Sequence, residues 1–143
     1  MNTEKITAIV LDRFDEYEDM LYEHTPPFLL WGDYYSMAED KLFEVADMLC
    51  DTDVGTWHNV ALTNGGWFML PAYEKEKMQV TSTNGWSGLM SPEAFGITCA
   101  LFACSRLSFA GGEFGALCSK RYYLLKAYAE EHAEAMEILR AID

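Results

Sequence analysis

At 143 residues and 16.2 kDa, the chain has the length of one ordinary domain, and a chain of this size buries enough surface to fold without a disulfide or metal staple. Half of its residues are hydrophobic and 23% are charged, a balance that excludes an intrinsically disordered chain. Ten basic against 23 acidic residues give a net charge of −13, which excludes a nucleic-acid-binding module working through clustered Lys and Arg.

The first 11 residues read equally as a strand or a helix start. Their apolar stretch, 6–11, is too short for a secretory leader, so a cytoplasmic protein is expected. Residues 12–23 are acidic, with Phe14, Tyr17 and Leu21 at helical spacing, and predict an amphipathic helix that Pro26-Pro27 ends. Residues 28–31 read as an apolar turn. A second helix is predicted over 33–51, with Met37, Leu42, Val45, Ala46, Met48 and Leu49 inward and Glu39, Asp40, Glu44, Asp47 and Asp51 in water. A turn follows over 52–55.

The period then changes from 3.6 to 2. Residues 56–63 are strand formers, Asn64-Gly65 signals a two-residue hairpin, and 66–71 is the returning strand. Residues 77–83 alternate Met78 and Val80 against Gln79 and Thr81, and a second Asn-Gly follows at Asn84-Gly85. Ser91-Pro92-Glu93 is a helix start: hydroxyl cap, proline at the first turn, acid at the positive end of the dipole. The helix from 92 to about 109 is apolar on nearly all sides and should be the core helix. Its longest apolar run, 94–104, is 11 residues, short of the roughly 18 that span a bilayer, so no membrane contact is expected. After the glycines at 111, 112 and 115 comes a helix to about 132 with Leu117, Leu124, Leu125, Tyr128 and Ala129 inward. A last helix over 133–141 carries Met136, Leu139 and Ile142 on a stripe that should dock. The fold class is α+β: one domain over 1–143, with a small antiparallel β-meander of three to four strands packed against about four to five helices.

Candidate chemistry is sparse. Cys50, Cys99, Cys104 and Cys118 show no C-x-x-C pair and read as buried free thiols; His24, His58 and His132 are scattered. Gly111-Gly112-Glu113-Phe114-Gly115 lacks the strand before it and the cation within it that a phosphate loop needs, so it reads as a helix–helix turn. Adjacent carboxylates such as Glu39/Asp40 and Glu130/Glu131 point in different directions on a helix. No cofactor, metal or catalytic residue is expected. The acidic excess is lopsided: residues 1–55 hold 14 acids and three bases, a net of −11, which serves either a solvated surface or a basic partner.

Gly55-Thr56-Trp57, Leu62-Thr63-Asn64-Gly65-Gly66-Trp67-Phe68-Met69-Leu70-Pro71, Asn84-Gly85-Trp86-Ser87-Gly88 and Ser91-Pro92-Glu93-Ala94-Phe95-Gly96-Ile97 together resemble the ArdB/KlcA antirestriction family. So does the tail, Arg121-Tyr122-Tyr123-Leu124-Leu125-Lys126-Ala127-Tyr128-Ala129-Glu130-Glu131-His132, with Ile138 to Asp143 after it. The resemblance covers about residues 55–143. It implies a protein of a plasmid, phage or genomic island that protects incoming DNA from host type I restriction-modification enzymes, directly or indirectly. Such a protein acts without catalysis and without imitating DNA, and the chain is expected to be a monomer or weak dimer.

Partner contact is placed at the corner where the last helix docks. Asp143 is expected there, with Asn64, Asn84 and Arg13 as donors, Arg13 being the one residue carried over from the N-terminal part. Two other readings differ in class. A DNA mimic would use the acidic first 55 residues, and a hydrolase would use two carboxylates in a deep pocket.

Overall fold

The computed structural model describes residues 5–11, 35–51, 54–73 and 76–143. The expected helix over 12–23, its Pro26-Pro27 stop, the turn over 28–31 and Arg13 lie outside those residues.

Among the described residues, the predicted strands and helices all form. Strand β1 (Ala8–Leu11), β2 (Trp57–Leu62) and β3 (Trp67–Pro71) make an antiparallel sheet in the order β1-β2-β3, with Val10 opposite Val60 and Val60 opposite Phe68. β4 (Met78–Thr81) and β5 (Ser87–Met90) make a separate two-stranded sheet. Met78 and Val80 are buried and Gln79 and Thr81 exposed, as their alternation requires.

The α+β class holds, but the single meander is divided, for two physical reasons. At the end of β3 the Tyr73 N–H turns back to the Pro71 carbonyl at 3.0 Å, bending the chain out of the sheet. The outer edge of β3 is also already taken. The Met69 carbonyl points away from β2 in the antiparallel alternation, and helix α2 (Pro92–Leu107) lies against it. A Cβ added at Gly96 would sit 2.0 Å from that oxygen, so only glycine lets the helix close the sheet edge.

Helix α2 starts as predicted. Ser91 Oγ accepts the Ala94 N–H at 3.2 Å, and Pro92 follows the cap. Ten of its residues are buried, from Ala94 to Cys104. By length and composition the stretch 92–110 is apolar enough to cross a bilayer, and among the described residues it is the helix that the other helices and the three-stranded sheet pack around. Each Leu, Ile or Phe buried on it contributes about 1.5–3 kcal/mol.

Helix α1 (Tyr35–Leu49) buries Ala38, Leu42, Val45, Ala46 and Leu49. Met37 and Met48, expected inward, are about half exposed because the buried stripe is centred one residue away from each. A 3-10 turn (Ser108–Ala110) leads into α3 (Gly112–Glu130), with Gly111 and Gly112 at φ 77° and 64°, so Gly111-Gly112 is a helix–helix turn. Helix α3 buries Phe114, Cys118, Arg121, Leu125 and Ala129; Leu117, Leu124 and Tyr128 are only half buried. Helix α4 (Ala135–Ile142) buries Ile138 and Ala141. Of the expected docking stripe, Ile142 packs half-buried against the core and Leu139 is half-buried, whereas Met136 is 62% exposed. All four cysteines are buried free thiols.

Candidate functional site

The two Asn-Gly turns are the same device used twice. Leu62 N–H meets the Gly66 carbonyl at 3.0 Å and Ser82 N–H meets the Trp86 carbonyl at 2.7 Å, so each loop holds three residues, Thr-Asn-Gly, rather than the two expected. Gly65 and Gly85 take φ of 94° and 95°, the left-handed position that ends such a loop. In both, the asparagine Oδ1 accepts the N–H two residues on, from Gly66 and from Trp86, at 2.9 Å. That local bond fixes the side chain and leaves its Nδ2 pointing out of the turn.

Each Nδ2 then fastens its hairpin to a C-terminal helix. Asn64 donates to the Leu124 carbonyl of α3 at 2.9 Å. Asn84 donates to the Arg140 carbonyl at 2.8 Å and to the main-chain oxygen of Asp143 at 2.6 Å. Ser82 adds a buried hydroxyl bond to the Ala141 carbonyl at 2.5 Å. Helix ends leave their last carbonyls without intrahelical partners, so these donors act as caps for α4. They also turn α4 so that Ile138 and Ala141, rather than Met136 and Leu139, meet the core.

The expected corner is therefore partly assembled. Asn84 and Asp143 meet; Asn64 is committed to α3; Arg13 lies outside the described residues. The contact to Asp143 is through its main-chain oxygen, while its side chain is exposed on the rim of a groove of about 590 Å³. Tyr122, Lys126, Met136, Leu139 and Ile142 line the same groove.

Sequence reasoning missed Arg121. It is 1% exposed, and its Nη1 donates to the Gly65 carbonyl at 3.1 Å, pinning the first turn from beneath. Its Nε and Nη2 are buried and have no hydrogen-bond partner among the described residues. Burial lowers its pKa, against the opposing influence of Cys104 and Cys118, and burial pushes the Cys118 thiol up to about 11. Cys104 is raised further by the same cause. These thiols are inert at neutral pH. The signal for the turns was the repeated Thr-Asn-Gly at 63–65 and 83–85; nothing local marks Arg121 as buried.

A second polar cluster, also missed, sits where α2 begins. Glu134 accepts from Ser91 N–H at 2.9 Å, from the Ser91 hydroxyl, and from Lys77 Nζ at 3.1 Å. Burial would raise its pKa, but the two Ser91 bonds and Lys77 outweigh that and hold it below its ordinary value. His132 Nδ1 accepts the Glu134 N–H at 2.9 Å, which leaves the proton on Nε2 to donate to Glu93 Oε1 at 3.0 Å. The Tyr128 hydroxyl donates to the same oxygen at 3.0 Å, and burial together with Glu93 pushes its pKa up to about 12. With Nδ1 engaged, His132 has no lone pair for general-base work. Among the described residues no three His, Cys, Asp or Glu side chains are grouped to hold a metal.

A profile of the family described as "Antirestriction protein" matches residues 51–143. The chain belongs to the antirestriction protein family. It is 41% identical over 91 residues to the antirestriction protein KlcA of Escherichia coli, a match covering 62% of this chain and 62% of the length of that relative. It is 34% identical over 122 residues to the uncharacterized protein YafX of Escherichia coli strain K12, with 79% of each chain covered. A solved chain from the structure of the KlcA and ArdB proteins aligns with a TM-score of 0.78 at 31% identity, covering 100% of both chains. Those proteins are described as showing a novel fold and antirestriction activity against type I DNA restriction systems in vivo but not in vitro. The family resemblance read from the motifs and the α+β class therefore stand, and the family profile includes Asn64, Asn84, Arg121 and Asp143.

Proposed function

We propose that this chain is an antirestriction protein that protects incoming mobile-element DNA by relieving host type I restriction, with no reaction of its own and without imitating DNA. The observation that carries this reading is the match along the whole chain to the KlcA and ArdB structure. Activity in vivo but not in vitro, as described for those proteins, favours an indirect route through a cellular component absent from a purified restriction reaction. The same reading has the protein act in the cytoplasm, where restriction takes place. Glu134, held ionised by Ser91 and Lys77, is poorly suited to be the general acid that a two-carboxylate hydrolase needs.

The test is plating of unmodified phage on a host with a type I system. Expressing the chain should restore plating toward the level of a restriction-free host. Unchanged restriction with abundant soluble protein overturns the proposal. A DNA-mimic reading has one observation in its favour, the net of −11 over residues 1–55. A mimic needs carboxylates spaced like phosphates, about one charge per 1.7 Å of duplex axis, and 14 acids are few for that. Salt-sensitive binding to a methyltransferase core, competed by DNA, would favour the mimic instead.

A further inference from the structure

The two edges of the three-stranded sheet are treated differently. The β3 edge is closed by α2 at Gly96, whereas among the described residues no strand pairs with the outer edge of β1. Thr63 N–H donates to the Thr7 carbonyl at 3.0 Å, and Ile9 stands opposite Ala61, so the odd-numbered residues of β1 exchange main-chain bonds with β2. The main-chain groups of Ile6, Ala8 and Val10 consequently point the other way.

Those three residues line a groove of about 470 Å³ whose far wall is formed by Glu93, Tyr128, Glu131 and His132. Val10 is 39% exposed there, an apolar side chain left on an open strand. The facing carboxylate is held in place: Tyr128 and His132 both donate to Glu93 Oε1, and neither contact uses Oε2. Glu131 adds a second negative charge, against Lys5 at the same groove.

We propose that this groove takes an extended segment of a partner protein, added as a strand to β1, with an Arg or Lys side chain seated against Glu93 and Glu131. Main-chain bonds to Ala8 and Val10 supply affinity, and alternate side chains reach the apolar sheet face and the carboxylate wall. The charge of the groove matches a basic segment, and the net charge of −13 draws one in. This goes beyond the antirestriction reading, and its assay contains no restriction enzyme, so the two fail separately.

The experiment titrates the isotope-labelled protein with the blocked peptide Val-Arg-Val-Thr-Val-Arg and follows backbone amides by NMR. Saturable shifts are expected at residues 6–10, 93 and 128–132. N-methylating the peptide amides that face β1 should weaken binding at least about tenfold, because it removes main-chain hydrogen bonds. Val10→Pro should weaken it similarly, since it deletes an outward N–H and leaves the β1–β2 ladder intact. Glu93→Gln should weaken the Arg peptide and leave a peptide with Thr in place of Arg unchanged. The proposal is overturned if the N-methylated peptide binds as well as its parent, if the Val-Glu-Val-Thr-Val-Glu peptide binds equally, or if the shifts map away from residues 6–10. Should Val10→Pro fail to fold by circular dichroism, the N-methyl comparison on the unaltered protein decides alone.

Discussion

The side-chain amide of Asn84 holds the main-chain oxygen of Asp143 at 2.6 Å and the Arg140 carbonyl at 2.8 Å, tying a hairpin tip to the last turn of α4 across 59 residues of sequence. Asp143 reaches its place through backbone, so its carboxylate is exposed for other work. That separates structure from contact at this corner more cleanly than the sequence allows.

Asp143→Asn is therefore expected to leave the melting temperature unchanged, because the Asn84 bond uses an oxygen the substitution keeps. If the exposed carboxylate meets a partner, phage-plating rescue falls while the melting curve stays put. A drop of several degrees in calorimetry would show that the side chain is structural after all.

Asn84→Ala removes two donors to α4 and the acceptor for Trp86 N–H. The expected loss is about 1–3 kcal/mol of stability. Urea unfolding should show a lower midpoint with the slope nearly unchanged, and amide exchange should quicken first in α4.

Gly96→Ala places a Cβ on the Met69 carbonyl, a backbone atom that cannot swing aside. Opening the α2–β3 contact is expected to cost about 3 kcal/mol or more, the upper end of overpacking effects. Loss of less than half that amount in urea unfolding would mean the helix and the strand edge separate easily.

Arg121→Ala deletes the donor to Gly65 and leaves a cavity beside Cys104 and Cys118. About 3 kcal/mol of destabilisation is expected. Arg121→Met fills the space and removes two orphaned donors, so it should lie within about 1.5 kcal/mol of the parent. Equal losses for the two variants would refute this account of the site.

Glu134 titrates below its ordinary value of 4.5 in the folded chain. A depressed carboxylate contributes stability that is present above the unfolded pKa and is lost as pH falls through the folded one. Below about pH 4.5 the parent should therefore lose stability more steeply than Glu134→Gln, whose stability carries no such term. Parallel pH profiles for the two proteins would show that the Ser91 and Lys77 contacts do not favour the ionised form.

Local chemistry made much of this protein legible. The Ser91-Pro92-Glu93 start, the all-round apolar face of α2, the Met78/Val80 alternation and the glycine break at 111–112 are each set by neighbours within a few residues, and each appears in the structure. Asn-Gly predicts a two-residue loop at both turns, and each loop holds three residues. The asparagine side chain, by accepting the N–H two residues on and donating to a distant helix, selects the longer loop.

What only the tertiary structure decided depends on groups far apart in the chain. Whether 78–90 continues the first sheet or forms its own turns on α2 reaching the β3 edge at Gly96, across 27 residues from Met69. Which residues of α4 meet the core is not set by spacing alone: Ile138 and Ala141 are fully buried and Ile142 half-buried, while Met136 is exposed. The choice fell to Ser82 and Asn84, which hold the carbonyls of Ala141 and Arg140 and so set its rotation. Arg121 was invisible as a core residue because composition ranks arginine as exposed, and only a fold that brings the Gly65 carbonyl beneath α3 gives it a buried partner. Periodicity and cap chemistry act over one or two turns of chain, whereas helix rotation, sheet edges and buried charges are settled by hydrogen-bond partners that the chain brings together only when it has folded.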